Sequence, residues 1–227
     1  MKVLAIADVE ERALWDYYSP ERFKDVDLIL SAGDLDAEYL EFLVTVINKP
    51  LLYVRGNHDD AYAKHAPGGC ICVEDSVYVW QGVRIAGLGG SMRYRGGANM
   101  YSEEEMERRV RRLDLKIRAV GGVDILLTHA PAFGVGDLDD LPHRGFDCFN
   151  RLLSRWQPDY MVHGHVHREY GCDFCRRRTL ECGTQVVNAY GYTMFDLERD
   201  AYPDRGWRGV LANSLCLRCD PSFVDGT

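Results

Sequence analysis

An α/β fold is predicted by two features of the sequence. Short apolar runs alternate with longer segments of helical period. The polar residues with the richest chemistry, Asp, Asn and His, stand directly after the apolar runs rather than within the helical segments. A chain of 227 residues fits one domain. At that length a fold buries roughly 70% of its unfolded surface and needs no disulfide staples.

The strands are expected at Val3–Ala7, Leu28–Ser31, Leu51–Val54, Val77–Trp80, Val83–Leu88, Ile125–Thr128, Tyr160–His163, Thr184–Ala189 and Tyr192–Leu197. Each is a short apolar run bounded by turn residues. "WQGV" and "YGYT" read as turns between paired strands. The clearest helix is Ser102 to Arg118: Ser102 and Glu105 fit a capping box, and Met106, Val110, Leu113 and Ile117 form an apolar stripe. Glu103–Glu105 lie at its positive end, Lys116 and Arg118 at its negative end. A second helix is expected from Phe146 to Trp156, stopping before Pro158. After Leu197 the pattern gives way to a tail containing Pro and Gly, so the domain is drawn over residues 1–197 with a tail, 198–227, packed on it.

Hydrophobic residues at 46% and charged residues at 27% are ordinary for a globular chain. A formal charge of −8 argues against general nucleic-acid binding, which needs a basic face. A small anionic substrate stays open, because bound cations reverse the local field. The opening "MKVLAIADVE" is too short in its apolar part for a signal peptide, and no run reaches the roughly 20 apolar residues of a membrane span. A cytoplasmic location without membrane insertion is expected, with the eight cysteines as thiols or metal ligands.

"AIADVEER" places Asp8 and Glu10 two residues apart at the end of the first apolar run. An extended backbone would point both carboxylates to one side. On these residues alone, a pair of metal ligands and a solvated turn entering a helix are both open. The rest of the chain adds four further sets in the same position. "SAGDLD" supplies Asp34; "VRGNHDD" supplies Asn57, His58 and Asp59; "LLTHAP" supplies His129; "MVHGHVHREYG" supplies His163, His165 and His167. Ligands of open α/β sheets bind at the C-terminal strand ends. Carboxylate, amide oxygen and imidazole together suit divalent Mn, Fe, Zn or Mg. Gly33, Gly56 and Gly164 are expected to let the backbone bend and aim these side chains inward.

The ordered motifs "GD", "GNHD", "H" and "GHVH", preceded by Asp8, resemble those of the calcineurin-like metallophosphoesterases, from Val3 to about Leu197. "GLGGS", "DLPHRGF" and "VVNAYG" look like a group of small bacterial members of unassigned substrate. The resemblance implies a four-layer α-β-β-α sandwich of the metallophosphoesterase type with a dinuclear centre at one end. Carried over, Asp8, Asp34 and His167 would hold a first divalent ion, with Asp34 bridging to a second completed by Asn57, His129 and His165. A bridging hydroxide would attack phosphorus in line. His58 would stabilise the transition state and protonate the leaving oxygen, with Asp59 as its orienting partner. His163 lies just outside the motif and reads equally as a structural histidine.

The family's first motif is Asp-x-His; here Glu10 stands in the place of the His. Three readings are open: Glu10 ligates the metal, acts through a water, or turns away. If it ligates, Asp8, Glu10, Asp34 and a hydroxide balance two divalent cations. A phosphodiester is then favoured over a dianionic monoester, with Mn the favoured metal and a rate optimum at higher pH. The expected partner is therefore a small phosphorylated substrate. An alternative is a catalytically weak, phosphate-binding or interaction scaffold, which the altered motif supports and the retained His58 opposes.

The basic loop "GGSMRYRGGANMY" makes Arg93 and Arg95 candidates for clamping phosphate, and His143 in "DLPHRGF" a further one. "CDFC" and "CLRC" supply Cys172, Cys175, Cys216 and Cys219, a spacing that suits a structural zinc clip on the tail, although the interval between the pairs is longer than usual.

Overall fold

The computed structural model describes residues 1–170 and 174–218. In chain order it contains β1 (Lys2–Ala7), α1 (Pro20–Phe23), β2 (Val26–Ser31), α2 (Ala37–Ile47), β3 (Leu51–Tyr53), β4 (Ile71–Cys72), β5 (Val77–Trp80) and β6 (Val83–Leu88). There follow β7 (Ser91–Met92), β8 (Met100–Tyr101), α3 (Glu103–Ala119), β9 (Ile125–Thr128), α4 (Asp147–Trp156) and β10 (Tyr160–His163). The last are β11 (Arg177–Thr179), β12 (Gln185–Asn188), β13 (Gly191–Asp196) and α5 (Gly206–Arg218).

The strands form a five-stranded sheet, β13-β1-β2-β3-β4, and a six-stranded sheet, β11-β12-β10-β9-β6-β5. Period-two alternation explains why β1 and β2 read as continuous apolar runs. Val3, Ala5, Leu28 and Leu30 point between the sheets and meet Ile85, Ile125, Leu127 and Val162. Leu4, Ile6 and Ile29 point the other way, against Tyr39, Leu40 and Leu43 of α2. The outer face of the second sheet packs Leu88, Leu126 and Met161 against Val110 and Leu113 of α3 and Phe149 of α4. These three cores separate four layers, α-β-β-α.

The α3 capping box forms, with Ser102 Oγ accepting from Glu105 N and Glu105 reaching back to Ser102 N. "WQGV" is a two-residue hairpin, with Gln81 and Gly82 both at positive φ as that turn requires. The expectation for "YGYT" is corrected. It does not join paired strands: β12 lies beside β10 and β11, whereas β13 pairs antiparallel with β1 in the other sheet. Tyr190 already bridges Ala7, and Gly191 turns at φ +68°, so the chain crosses between sheets there. A turn signal is local and does not choose the partner strand.

Helix α2 escapes the sequence reading because its stretch is rich in β-branched and aromatic residues, and its burial is decided by packing. The tail is ordered as α5. Asn213 accepts from Val79 N (2.7 Å) and donates to Val79 O (2.9 Å), satisfying both backbone groups of one residue on the edge strand β5. Cys216 is fully buried in the inter-sheet core, its thiol donating to the Cys72 carbonyl. Cys175 is exposed and donates to Arg177 O. Cys172 and Cys219, the other two cysteines of the expected zinc clip, lie outside the described residues. Among the described residues no helix is long and apolar enough to cross a membrane.

One buried ionic network ties the core to the loop that follows β6. Glu74, 5% exposed, accepts from Arg55 Nε (2.6 Å) and Arg109 Nη2 (2.7 Å). Arg109 also pairs with Asp75 and donates to the Gly89 carbonyl, with its guanidinium over the Tyr101 ring. Removing one member of such a network strands charge in low dielectric. Glu74→Ala should therefore destabilise the fold by about 3 kcal/mol, read as a lowered urea midpoint at unchanged slope; a change within ~0.5 kcal/mol would discard this account.

Candidate metal centre

Strands β1, β2 and β3 run parallel, as do β6, β9, β10 and β12, so each sheet gathers its C-terminal strand ends at one edge. Contacts across the seam bring the two edges together. His129, following β9, places Nδ1 2.7 Å from the carbonyl of Ala32, following β2. The backbone N–H of His165, following β10, donates to both carboxylate oxygens of Asp8 at 3.0 Å. Asp8, Asp34 and Asn57 thus come from one sheet, and His129, His165 and His167 from the other.

Asp34, His129 and His165 offer ligand atoms all within 4.8 Å of one another. His129 is fully buried; since a carbonyl only accepts, its Nδ1 carries the hydrogen and Nε2 faces Asn57 Oδ1 (2.9 Å) and Asp34 Oδ2 (3.4 Å). His165 Nε2 likewise donates to the Pro142 carbonyl (2.7 Å), leaving Nδ1 for the site. Both imidazoles are oriented by a carbonyl, the usual support of a metal-ligating histidine. Asp8, with its side chain fully buried, lies 3.6 Å from His167 Nε2, and His167 packs its ring on Tyr190.

Asp34 and His129 shift each other's protonation. Burial would lower the His129 pKa, but the Asp34 carboxylate overrides it and holds the imidazole above its usual range. Burial would raise Asp34, yet His129 and the His58 N–H bring it below the carboxylate range. His165 is kept neutral by burial and by the neighbouring His129 charge. The Asp34 carboxylate and the His129 imidazole therefore face each other as an ion pair. Two imidazoles, a carboxylate and an amide oxygen form a donor set that fits Mn, Fe, Zn or Mg.

Backbone conformation aims the ligands. Asp8 (φ +66°), Asp34 (φ +56°) and His165 (φ +67°) all occupy the left-handed region. For residues with a Cβ this costs of order 1 kcal/mol each and is characteristic of functional sites. The glycine expectation is corrected in part. Gly33 supplies a bend at φ +96°, whereas Gly56 and Gly164 supply close approach. A Cβ on Gly56 would overlap Asp34 Oδ1, and one on Gly164 would lie 2.7 Å from Asp8 Oδ2.

The remaining sequence candidates divide. His58 is exposed; its N–H donates to Asp34 Oδ1 (2.7 Å), and its Nδ1 lies 3.5 Å from Arg95 Nη2. Asp59 has a different role from the one the motif suggested. Its buried Oδ2 accepts from the backbone N–H groups of Asp34 (2.9 Å) and Gly56 (2.6 Å), so it braces the Asp34 turn rather than His58. Burial and the Asp34 charge push its pKa up to about 7. Arg93 is held by Glu105 (2.6 Å) and the Met100 carbonyl, away from His58. His143 pairs with Asp140 and stacks near the His165 ring. His163 is buried and neutral, its pKa lowered by burial to about 4, with Nδ1 on the Gly164 carbonyl. Glu10 is exposed and accepts from Asp36 N at 3.2 Å. It lines a cleft of about 400 Å³ with Asp8, Asp34, Asp36, His58 and Asp59. Sequence reasoning missed Pro142 and Ala32, whose carbonyls orient the two histidines; a backbone acceptor leaves no trace in residue type.

Gly56→Ala should weaken Mn binding in calorimetry at least about tenfold, while Gly96→Ala, where a Cβ meets nothing within 4 Å, should leave it unchanged. Equal affinities for the two variants would refute the close-approach role.

Two curated relatives from Caenorhabditis elegans align with part of the chain. UPF0046 protein T07D4.2 is 32% identical over 113 residues, covering 48% of this chain and 27% of that protein. UPF0046 protein C25E10.12 is 29% identical over 85 residues, covering 33% and 30%. The chain thus matches under a third of the length of either. Among solved structures, TT1561 of Thermus thermophilus superposes with a TM-score of 0.60 at 16% identity, over 88% of this chain and 95% of that one. Another reaches 0.62 at 18% identity, over 86% and 94%. Both likenesses concern the fold. The model of the calcineurin-like phosphoesterase domain matches residues 1–169, which include every ligand candidate gathered at the seam, and the chain belongs to that family.

Proposed function

We propose that the chain is a metal-dependent phosphoesterase that favours phosphodiesters. The observation that carries this reading is the convergence of Asp34, His129 and His165 beside an exposed His58 that Arg95 approaches. Asp8, Asp34 and His167 would hold a first divalent ion, and Asn57, His129 and His165 a second, with Asp34 shared. When bound, such ions supply Lewis acidity and a nucleophile at neutral pH. Manganese is the proposed metal.

The chain's own groups do the rest. A guanidinium has no acceptor, so His58 Nδ1 takes the accepting role toward Arg95 and Nε2 carries the hydrogen. That Nε2–H is the group offered to the leaving oxygen. Arg95 adds a positive charge beside His58 for a non-bridging phosphoryl oxygen. Asp59 fixes Asp34 by holding the β2 and β3 ends together.

Diester preference follows from charge. Glu10 and Asp36 add two carboxylates to a cleft already lined by Asp8 and Asp34. A dianionic monoester meets more repulsion there than a monoanionic diester. This holds whether Glu10 touches a metal or stays on the Asp36 N–H.

After metal stripping and reconstitution with Mn, the protein should hydrolyse bis-p-nitrophenyl phosphate faster than p-nitrophenyl phosphate. His58→Ala should lose about 10²-fold or more in kcat. Glu10→His should shift the rate ratio toward the monoester. No turnover of either ester with any of the four metals would reject the enzyme. An unmoved ratio in Glu10→His would reject the charge argument and leave the enzyme standing.

A further inference from the structure

Helix α5 is apolar on more than one side. Toward the protein it buries Gly209 and Cys216 and anchors on β5 through Asn213. Away from it, Trp207 is 71% exposed, Val210 68%, Leu211 49% and Leu215 46%. Leu115 of α3, 65% exposed, stands opposite. These five are a majority of the large apolar side chains exposed among the described residues. Between α3 and α5 lies a groove of about 270 Å³ that Trp207, Leu115, Leu211 and Leu215 help to line. An apolar patch of this extent marks an interaction surface.

We propose that this face docks a second copy of the chain across a two-fold axis. A two-fold interface must be self-complementary, and this face carries both a protruding indole and a groove beside it. The five side chains expose on the order of 600 Å² of apolar surface, which with a polar rim approaches the ~800 Å² per partner of a stable dimer.

The cations at this face are already engaged within the chain. The groove's charged lining residues are Lys116 and Arg208. Lys116 already donates to the Asp75 carbonyl, and the Arg208 guanidinium lies over its own Trp207 ring. Both stay at the rim of the apolar face, where cationic side chains are tolerated with their heads in water. A two-fold axis brings two basic rims, and two chains of formal charge −8, toward each other. Salt should therefore tighten the dimer, whereas it would loosen a complex with an acidic protein.

Sedimentation equilibrium on the full chain tests this from about 1 to 100 µM, in roughly 0.05 and 0.5 M NaCl. The expected result is a dimer of micromolar or tighter Kd that strengthens with salt. Leu211→Glu, and separately Trp207→Ser, should give monomers with an unchanged circular dichroism spectrum. Leu141→Glu, at a site 51% exposed on another segment, should remain dimeric. A monomer throughout the concentration range overturns the proposal. So does a dimer that survives Trp207→Ser or Leu211→Glu, or one that salt dissociates.

Discussion

The candidate metal centre depends on one hydrogen bond across the seam of the sandwich. His129 belongs to the six-stranded sheet, yet its Nδ1–H is donated to Ala32 at the end of a strand in the other. That bond fixes the ring so that Nε2 faces Asn57 and Asp34, both contributed by the opposite sheet. The Asp8 carboxylate repeats the arrangement in the other direction by accepting from the His165 backbone. Two sheets packed only through apolar side chains could slide; polar contacts of fixed length at their shared edge define the register.

Conformational cost is concentrated at the same edge. Three candidate ligand residues lie in the left-handed region, and two glycines are needed because carboxylate oxygens occupy the space of a Cβ. Asp59 offsets part of that cost by accepting two backbone N–H groups with one oxygen, drawing the ends of β2 and β3 together. Behind it, Glu74 joins Arg55, immediately before Gly56, to Arg109 of α3, which holds the Gly89 carbonyl. The segment leading to His58 and the loop bearing Arg95 are therefore anchored to one buried carboxylate. The scaffold needed to hold the cleft is ionic as much as apolar.

Glu10 stands where the resemblance expects a His, and the backbone accommodates it. Its side chain finds a donor in the Asp36 N–H, at the start of α2, where a helix N-terminus favours negative charge. It remains in the cleft and raises the local negative charge. The first-site ligands assigned by motif, Asp8, Asp34 and His167, do not need it to keep their own contacts.

The α/β class, most strand positions, the α3 capping box and the metal-ligand candidates are legible in the sequence. Those features are written in short-range patterns: period two, period 3.6 and polar residues directly after apolar runs. The Tyr-Gly turn signal pairs β13 with the preceding strand, whereas β13 joins the other sheet, and neither α2 nor the docked α5 is legible. The resemblance pairs Asp59 with His58, whereas the folded chain turns an Asp59 oxygen onto the backbone of Asp34 and Gly56. The sequence offers Arg93 and Arg95 as equals; the contact of Arg93 with Glu105 and the approach of Arg95 to His58 separate them. The difference is physical: residue type and spacing fix what a side chain can do locally, while its partners come from segments far apart in the chain and are chosen by packing.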